Sequence, residues 1–170
     1  MKKILPLFFL FAACKKEIKP TITQFAQVSN SVQTAAVYFD SSLTGQQNIK
    51  SGTNTAFVGF FHTSTDTVYL KELVFFLHQS GVSLTKAKLS FGDGVVRQVV
   101  NITGDTVIFK ASAPFAFYGQ DITHDIVCSI AGSGSGNYEL ELRKAIFYSP
   151  QKQRLENTGL PLEGYTMIFQ

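Results

Sequence analysis

The sequence predicts an all-β sandwich, on three observations. From residue 34 onward, almost every segment reads as a short run of alternating or continuous apolar residues bounded by Gly, Asn, Asp or Ser. No stretch of ten residues carries a convincing helical period. The composition, 45% hydrophobic and 16% charged with 16 Phe and 6 Tyr, suits a packed β-rich core rather than a disordered chain. One domain of about nine or ten strands is expected over residues 34–170, because 170 residues suffice for a single sizeable core.

Taken in order, the first strand is expected at TAAVYFD, 34–40. TNTAFVGFFH, 53–62, and DTVYLKELVFFL, 66–77, are the most apolar runs and are expected at the centre of the sheets. The in–out phase of the second run shifts around Lys71-Glu72, which predicts a bulge there. In KAKLSFGDGVVRQVV, 86–100, Asp93-Gly94 lies between apolar runs and predicts a hairpin with a type I′ turn. Gly104-Asp105 marks a further turn before TVIFK. Ile122, His124, Ile126, Cys128 and Ile130 share one face of a strand. NYELELRK, 137–144, alternates most cleanly, with Tyr138, Leu140 and Leu142 facing inward and Glu139, Glu141 and Arg143 facing water. QKQRLENTG, 151–159, has room for a helical turn or two, and YTMIF, 165–169, is the last strand. No fixed-period repeat occurs, so one module is expected and not an array.

The N-terminus carries an address. Lys2 and Lys3 precede an apolar run from Ile4 to Phe11, broken by Pro6 and followed by Ala12 and Ala13. This is the outline of a secretory signal peptide, and the run falls far short of the ~20 residues of a membrane-spanning helix. Phe11-Ala12-Ala13-Cys14 resembles the lipobox of bacterial lipoproteins, and Lys15-Lys16-Glu17 is similar to tails that follow the lipid cysteine in Bacteroidota lipoproteins. Phe11 stands where that family usually has Leu. The resemblance implies that residues 1–13 are removed and that Cys14 becomes the lipid attachment site of an exported, membrane-anchored protein, periplasmic or on the outer surface. Several acyl chains, at about 0.8 kcal/mol per buried CH₂, make such an anchor effectively permanent. The alternative is cleavage after Ala12 or Ala13 that leaves a free thiol. Residues 14–33 then read as lipidated N-terminus and flexible tether, with an ordered edge strand as the other possibility.

The segment from Gln47 to the end also resembles, by pattern and not by an invariant motif, the Ig-like sandwich modules of bacterial cell-surface proteins. "NIKSGTNTAFVGFF" enters the sandwich, "DTVYLKELVFFL" is a core strand and "LTKAKLSFGDG" a hairpin. That resemblance implies binding or structural roles and transfers no catalytic residue.

Chemistry is sparse elsewhere. Lys2 and Lys3 aside, the charge is close to balanced and scattered, so no nucleic-acid partner is expected. GSGSG, 132–136, follows a strand but precedes another strand and not a helix, so it lacks the context of a phosphate-binding loop and reads as a flexible hairpin loop. Position 134 is Gly where a nucleophile elbow needs Ser. His62, His78 and His124 have no second His at metal-ligand spacing, and His124 reads as a packing residue. Asp121 and Asp125, four residues apart on a regular strand, would stand ~13 Å apart, too wide for paired glycosidase carboxylates, and too few oxygen ligands gather there for calcium. Asn101-Ile102-Thr103 fits the glycosylation pattern only. Cys128 sits in an apolar run and reads as a buried small hydrophobe. No enzyme, cofactor or metal is therefore expected. The reading is a lipid-anchored envelope protein whose non-catalytic sandwich serves adhesion, envelope structure or assembly through protein contacts. The alternative is a ligand-binding module for a glycan or peptide; what discriminates it is whether two or more of Tyr69, Tyr118 and Tyr148 lie side by side on one exposed face.

Overall fold

A computed structural model describes residues 36–170, so the signal segment, Cys14 and the tether lie outside the described residues. The elements in that span are strands: β1 (Ala36–Ser42), β2 (Gly45–Ile49), β3 (Gly52–Thr63), β4 (Thr67–Ser90), β5 (Val96–Asn101), β6 (Thr106–Tyr118), β7 (His124–Tyr148), β8 (Arg154–Thr158), β9 (Leu162–Glu163) and β10 (Tyr165–Phe169). The chain forms the expected all-β sandwich. Pairing is antiparallel except for two parallel contacts, β1 with β8 and β10 with β2.

The frame is a long ribbon. β4 and β7, of 24 and 25 residues, run antiparallel along nearly their whole length. The first half of β4 pairs with the second half of β7, from Tyr69 opposite Tyr148 to Ser80 opposite Asn137, and the second half of β4 pairs with the first half of β7, from Val82 opposite Gly134 to Ser90 opposite Val127. Each end of the ribbon belongs to a different layer. One layer adds β5 beside β4, and β3 then β1 beside β7. The other adds β6 beside β4, and β10, β9 and β8 along β7, with β2 outside β10. β8 pairs with β1 as well as β7, so it bridges the layers on that side.

Aromatic side chains fill the space between. Phe57 and Phe61 of β3 meet residues of the other layer, Phe57 against Phe75 at 5.1 Å and Phe61 against Phe117 at 5.1 Å and Phe147 at 5.3 Å between ring centroids. The first two are edge-on contacts, a geometry that ring quadrupoles favour. All five rings except Phe117, which is nearly so, are fully buried.

The bulge expected at Lys71-Glu72 is present: the register of β4 slips between Leu70 and Glu72 against both β6 and β7. The alternation of 137–144 also holds, with Tyr138, Leu140 and Leu142 buried.

Four expectations are corrected. GSGSG is not a hairpin loop but the interior of β7, where the ribbon bends from one layer to the other opposite Gly81. A Cβ on Gly134 would lie 2.6 Å from the Gly81 oxygen, and one on Gly136 would lie 2.7 Å from the Ser80 carbonyl carbon. The glycines let two backbones approach at a corner, a second use of glycine runs in strands. The Asp93-Gly94 hairpin exists, but only Gly94 has positive φ, at 69°, and Gly94 N donates to Phe91 O at 2.7 Å. This is a type I turn followed by a left-handed glycine, not type I′. Ile122 does not share the buried face; it is 54% exposed in the loop ahead of β7, where Asp121 has φ of 57°. Residues 151–159 form a turn and β8 in place of helix, because backbone pairing with β1 and β7 outweighs a weak local propensity.

Candidate functional site

A groove of about 510 Å³ lies at one end of the layer that contains β6, lined by Tyr69, Lys71, Pro114, Tyr148, Ser149, Pro150 and Lys152. Its floor follows from strand periodicity. Val68 and Leu70 point into the core, so Tyr69 points out; Phe147 and Ser149 are buried, so Tyr148 points out. Register sets these two tyrosines directly opposite each other on β4 and β7. Tyr69 and Tyr148 thus stand side by side on one face, both half-buried. Tyr118, 67% exposed, pairs with Thr67 while Tyr69 pairs with Ala116. It therefore shares the same outer face, diagonally from Tyr69 at roughly 7–8 Å.

The β4 bulge builds one wall. β6 passes from Lys110 opposite Glu72 to Phe115 opposite Leu70, so four residues, 111–114, stand against the single Lys71. This excursion turns backbone carbonyls away from the ladder, and the Lys71 ammonium donates to two of them, Ala111 O at 2.5 Å and Ser112 O at 3.4 Å. Charge-assisted bonds of this kind are about twice as strong as neutral ones. They hold Pro114 at the groove. The opposite wall is the turn after β7, where Ser149 N donates to Gln153 O and Lys152 N to Ser149 O, both at 2.9 Å. Lys152 adopts φ of 62° there and is exposed. Among the described residues, neither Lys71 nor Lys152 is in an ion pair, and no acidic side chain lines the groove.

Sequence reasoning singled out the tyrosines as binding residues and Lys71 only as the place of a bulge, but not Pro114, Pro150 or Lys152. The only local signal was proline close behind an aromatic, as in Tyr148-Ser149-Pro150. What brings Pro114 to Tyr148 is the four-residue excursion, which is a property of strand pairing.

Further along the same face, Arg143 lies over the Phe76 ring at 4.1 Å and donates to Glu141 at 2.7 Å, with His78 at 3.3 Å from the same carboxylate. The Arg143 guanidinium, aided by His78, holds the Glu141 carboxyl below its ordinary value. Lys144 and Glu72 pair at 2.9 Å. These are surface pairs that cover Phe76, worth little singly.

The remaining singled-out residues are dispersed. His62 hydrogen-bonds Asp40 at 2.9 Å and stacks on Tyr38. His124 packs between Phe61 and Phe117, its Nε2 buried without a partner, and burial lowers its pKa against the opposing pull of Asp125. It borders a second cleft with Asp93, Arg97 and Asp125. Asp121 stands in the loop and Asp125 on β7, and among the described residues no group of three or more His, Cys, Asp or Glu is arranged to hold a metal ion. Cys128 is fully buried and unpaired, and burial pushes its thiol far above the ordinary range, so it is inert. Among the described residues no helix is long and apolar enough to cross a membrane.

No protein-family model matches this chain, and no curated protein matches it. Solved structures of similar shape include a non-cellulosomal cohesin from the hyperthermophilic archaeon Archaeoglobus fulgidus, 6% identical over 79% of this chain and 91% of that one, with a TM-score of 0.39. Another is the cohesin module of a family 33 glycoside hydrolase from Clostridium perfringens, 10% identical over 81% and 98%, TM-score 0.38. A third is a chain of a type I cohesin–dockerin complex from Clostridium thermocellum, 8% identical over 80% and 94%, TM-score 0.34. Likeness at this level is one of general β architecture and assigns no residue of this chain a role.

Proposed function

We propose that this chain is a lipid-anchored, non-catalytic β-sandwich of the cell envelope that works by binding another protein, and that the groove over Tyr69 and Tyr148 is where it does so. The groove carries the reading: two outward tyrosines in register, two prolines and two lysines without acidic partners converge on one concavity. Flat, rigid rings offer large contact area at low conformational cost, which is why aromatics concentrate at binding surfaces. No nucleophile, base and orienting group converge there. The anchor rests on the lipobox-like Phe11-Ala12-Ala13-Cys14.

Two experiments test this. Intact mass of membrane-extracted protein is expected to show loss of residues 1–13 and gain of a diacylglycerol-sized group that Cys14→Ser lacks. A bare cleaved chain in the soluble fraction would end the anchor reading. A photo-crosslinking residue placed at Lys152 is expected to capture a discrete protein adduct in cells, whereas the same group at Lys86, on the other layer, does not. Equal adducts at both sites would remove the groove as the protein-binding face, and absent adducts at both would remove the protein partner.

A glycan ligand is the second reading, favoured by two tyrosines set opposite each other in the ladder, since sugars stack on such rings. It predicts no protein adduct and displacement by free oligosaccharide.

A further inference from the structure

Taking the groove as the binding site, we infer that its occupant is an extended, proline-bearing acidic segment of a partner protein, held in polyproline II conformation across Tyr69 and Tyr148. This rests on the binding reading above and narrows it.

The chemistry of the lining selects the class. Sugar sites pair their aromatic platform with amide and carboxylate groups that read hydroxyls, and this groove contains no Asn, Gln, Asp or Glu. Its one hydroxyl outside the tyrosines, on Ser149, already accepts from Gln153 N at 3.3 Å. What remains is two phenol rings, two pyrrolidine rings and two ammonium groups. Grooves walled by tyrosine and proline suit polyproline II segments, whose proline rings pack flat between aromatic side chains and whose free carbonyls take hydrogen bonds from phenol hydroxyls. Such a segment is already extended, so little conformational freedom is lost on binding.

Charge selects the sequence. Both cations at the groove lack an acidic neighbour there. Lys71 is committed to the carbonyls of Ala111 and Ser112, which leaves Lys152, exposed on its turn, to meet a carboxylate of the ligand. A basic or neutral segment gains nothing from it.

The test is fluorescence anisotropy with the full chain purified from membranes in detergent. Three fluorescein-labelled decapeptides are compared: alternating Pro and Glu, alternating Pro and Lys, and a Gly-Ser-Glu sequence of equal charge. The Pro-Glu peptide is expected to bind about tenfold or more tighter than either other peptide. Tyr148→Ala is expected to weaken it about tenfold and Tyr148→Phe, which keeps the ring, by less than about threefold. Lys152→Glu, on an exposed turn where folding is not at stake, is expected to weaken it about fivefold and to abolish its salt dependence. Equal binding of the Gly-Ser-Glu peptide overturns the proline requirement, and equal binding of the Pro-Lys peptide overturns the charge requirement. If no peptide binds but an acidic oligosaccharide does, and Tyr148→Ala abolishes that, the peptide inference falls while the groove stands. If nothing that binds responds to Tyr148→Ala or Lys152→Glu, both fall.

Discussion

Replacing Gly136 by alanine tests the claim that the GSGSG run is the corner of a ribbon and not a loop. The new Cβ would sit 2.7 Å from the Ser80 carbonyl carbon and 3.0 Å from Gly81 Cα. Both are backbone atoms of the partner strand, so no rotamer change relieves the clash; the two strands must separate at the bend. Overpacking costs about 1–3 kcal/mol, and an unyielding backbone neighbour places this case near the upper end. Alanine also restricts the unfolded chain, which offsets about 0.4–1 kcal/mol. The expected net loss is about 2 kcal/mol, or a fall in Tm of about 8 °C at roughly 4 °C per kcal/mol. Gly94→Ala is the comparison: its φ of 69° strains any side chain, but nothing lies within 4 Å, so a loss of about 1 kcal/mol is expected from the left-handed backbone alone. Ser135→Ala, exposed in the same run, is expected to be neutral. Urea unfolding followed by circular dichroism measures all three. A Gly136→Ala loss below about 0.5 kcal/mol, or one no larger than that of Gly94→Ala, would refute the corner, since a flexible loop accommodates a methyl group.

Tyr138 is 1% exposed with its hydroxyl unpartnered, so Tyr138→Phe removes a desolvated polar group and is expected to leave stability unchanged or raise it by about 1 kcal/mol; a loss above about 1 kcal/mol in the same denaturation assay would show an overlooked partner. Burial lowers the His124 pKa, so on acidification the unfolded chain takes up a proton there before the folded chain does. Stability from this residue is complete above the ordinary histidine value near 6.5 and declines as pH falls from there towards the lowered folded value. His124→Phe, placed between Phe61 and Phe117, is expected to flatten that decline, read as Tm between pH 5 and 8; an unchanged slope would assign the decline elsewhere. Lys71→Met strips the ammonium from the carbonyls of Ala111 and Ser112 and is expected to cost about 1–2 kcal/mol and to speed amide exchange at residues 111–113; protection equal to wild type would show that the excursion holds itself.

Local chemistry was enough wherever a strand has one wet face and one dry one. The alternation of Tyr138, Leu140 and Leu142 with charged residues, and the phase slip at Lys71-Glu72, are imprinted in the chain because each side chain must choose core or water. Glycine carries no such imprint. GSGSG is compatible with a loop or with a corner where two backbones touch, and only the presence of Ser80 and Gly81 opposite Gly136 distinguishes them.

By itself, then, the sequence determined the all-β class, most strand positions and, where residues alternate, the inward and outward faces, since these depend on residue type and near neighbours. The tertiary structure alone decided that β4 and β7 run unbroken through both layers, that β8 joins β1 as well as β7, and that Tyr69 meets Tyr148 beside Pro114, Pro150 and the two lysines. Tyr69 and Tyr148 are 79 positions apart in the chain, and pairing at that distance is set by the register of the whole ribbon, which no local pattern records.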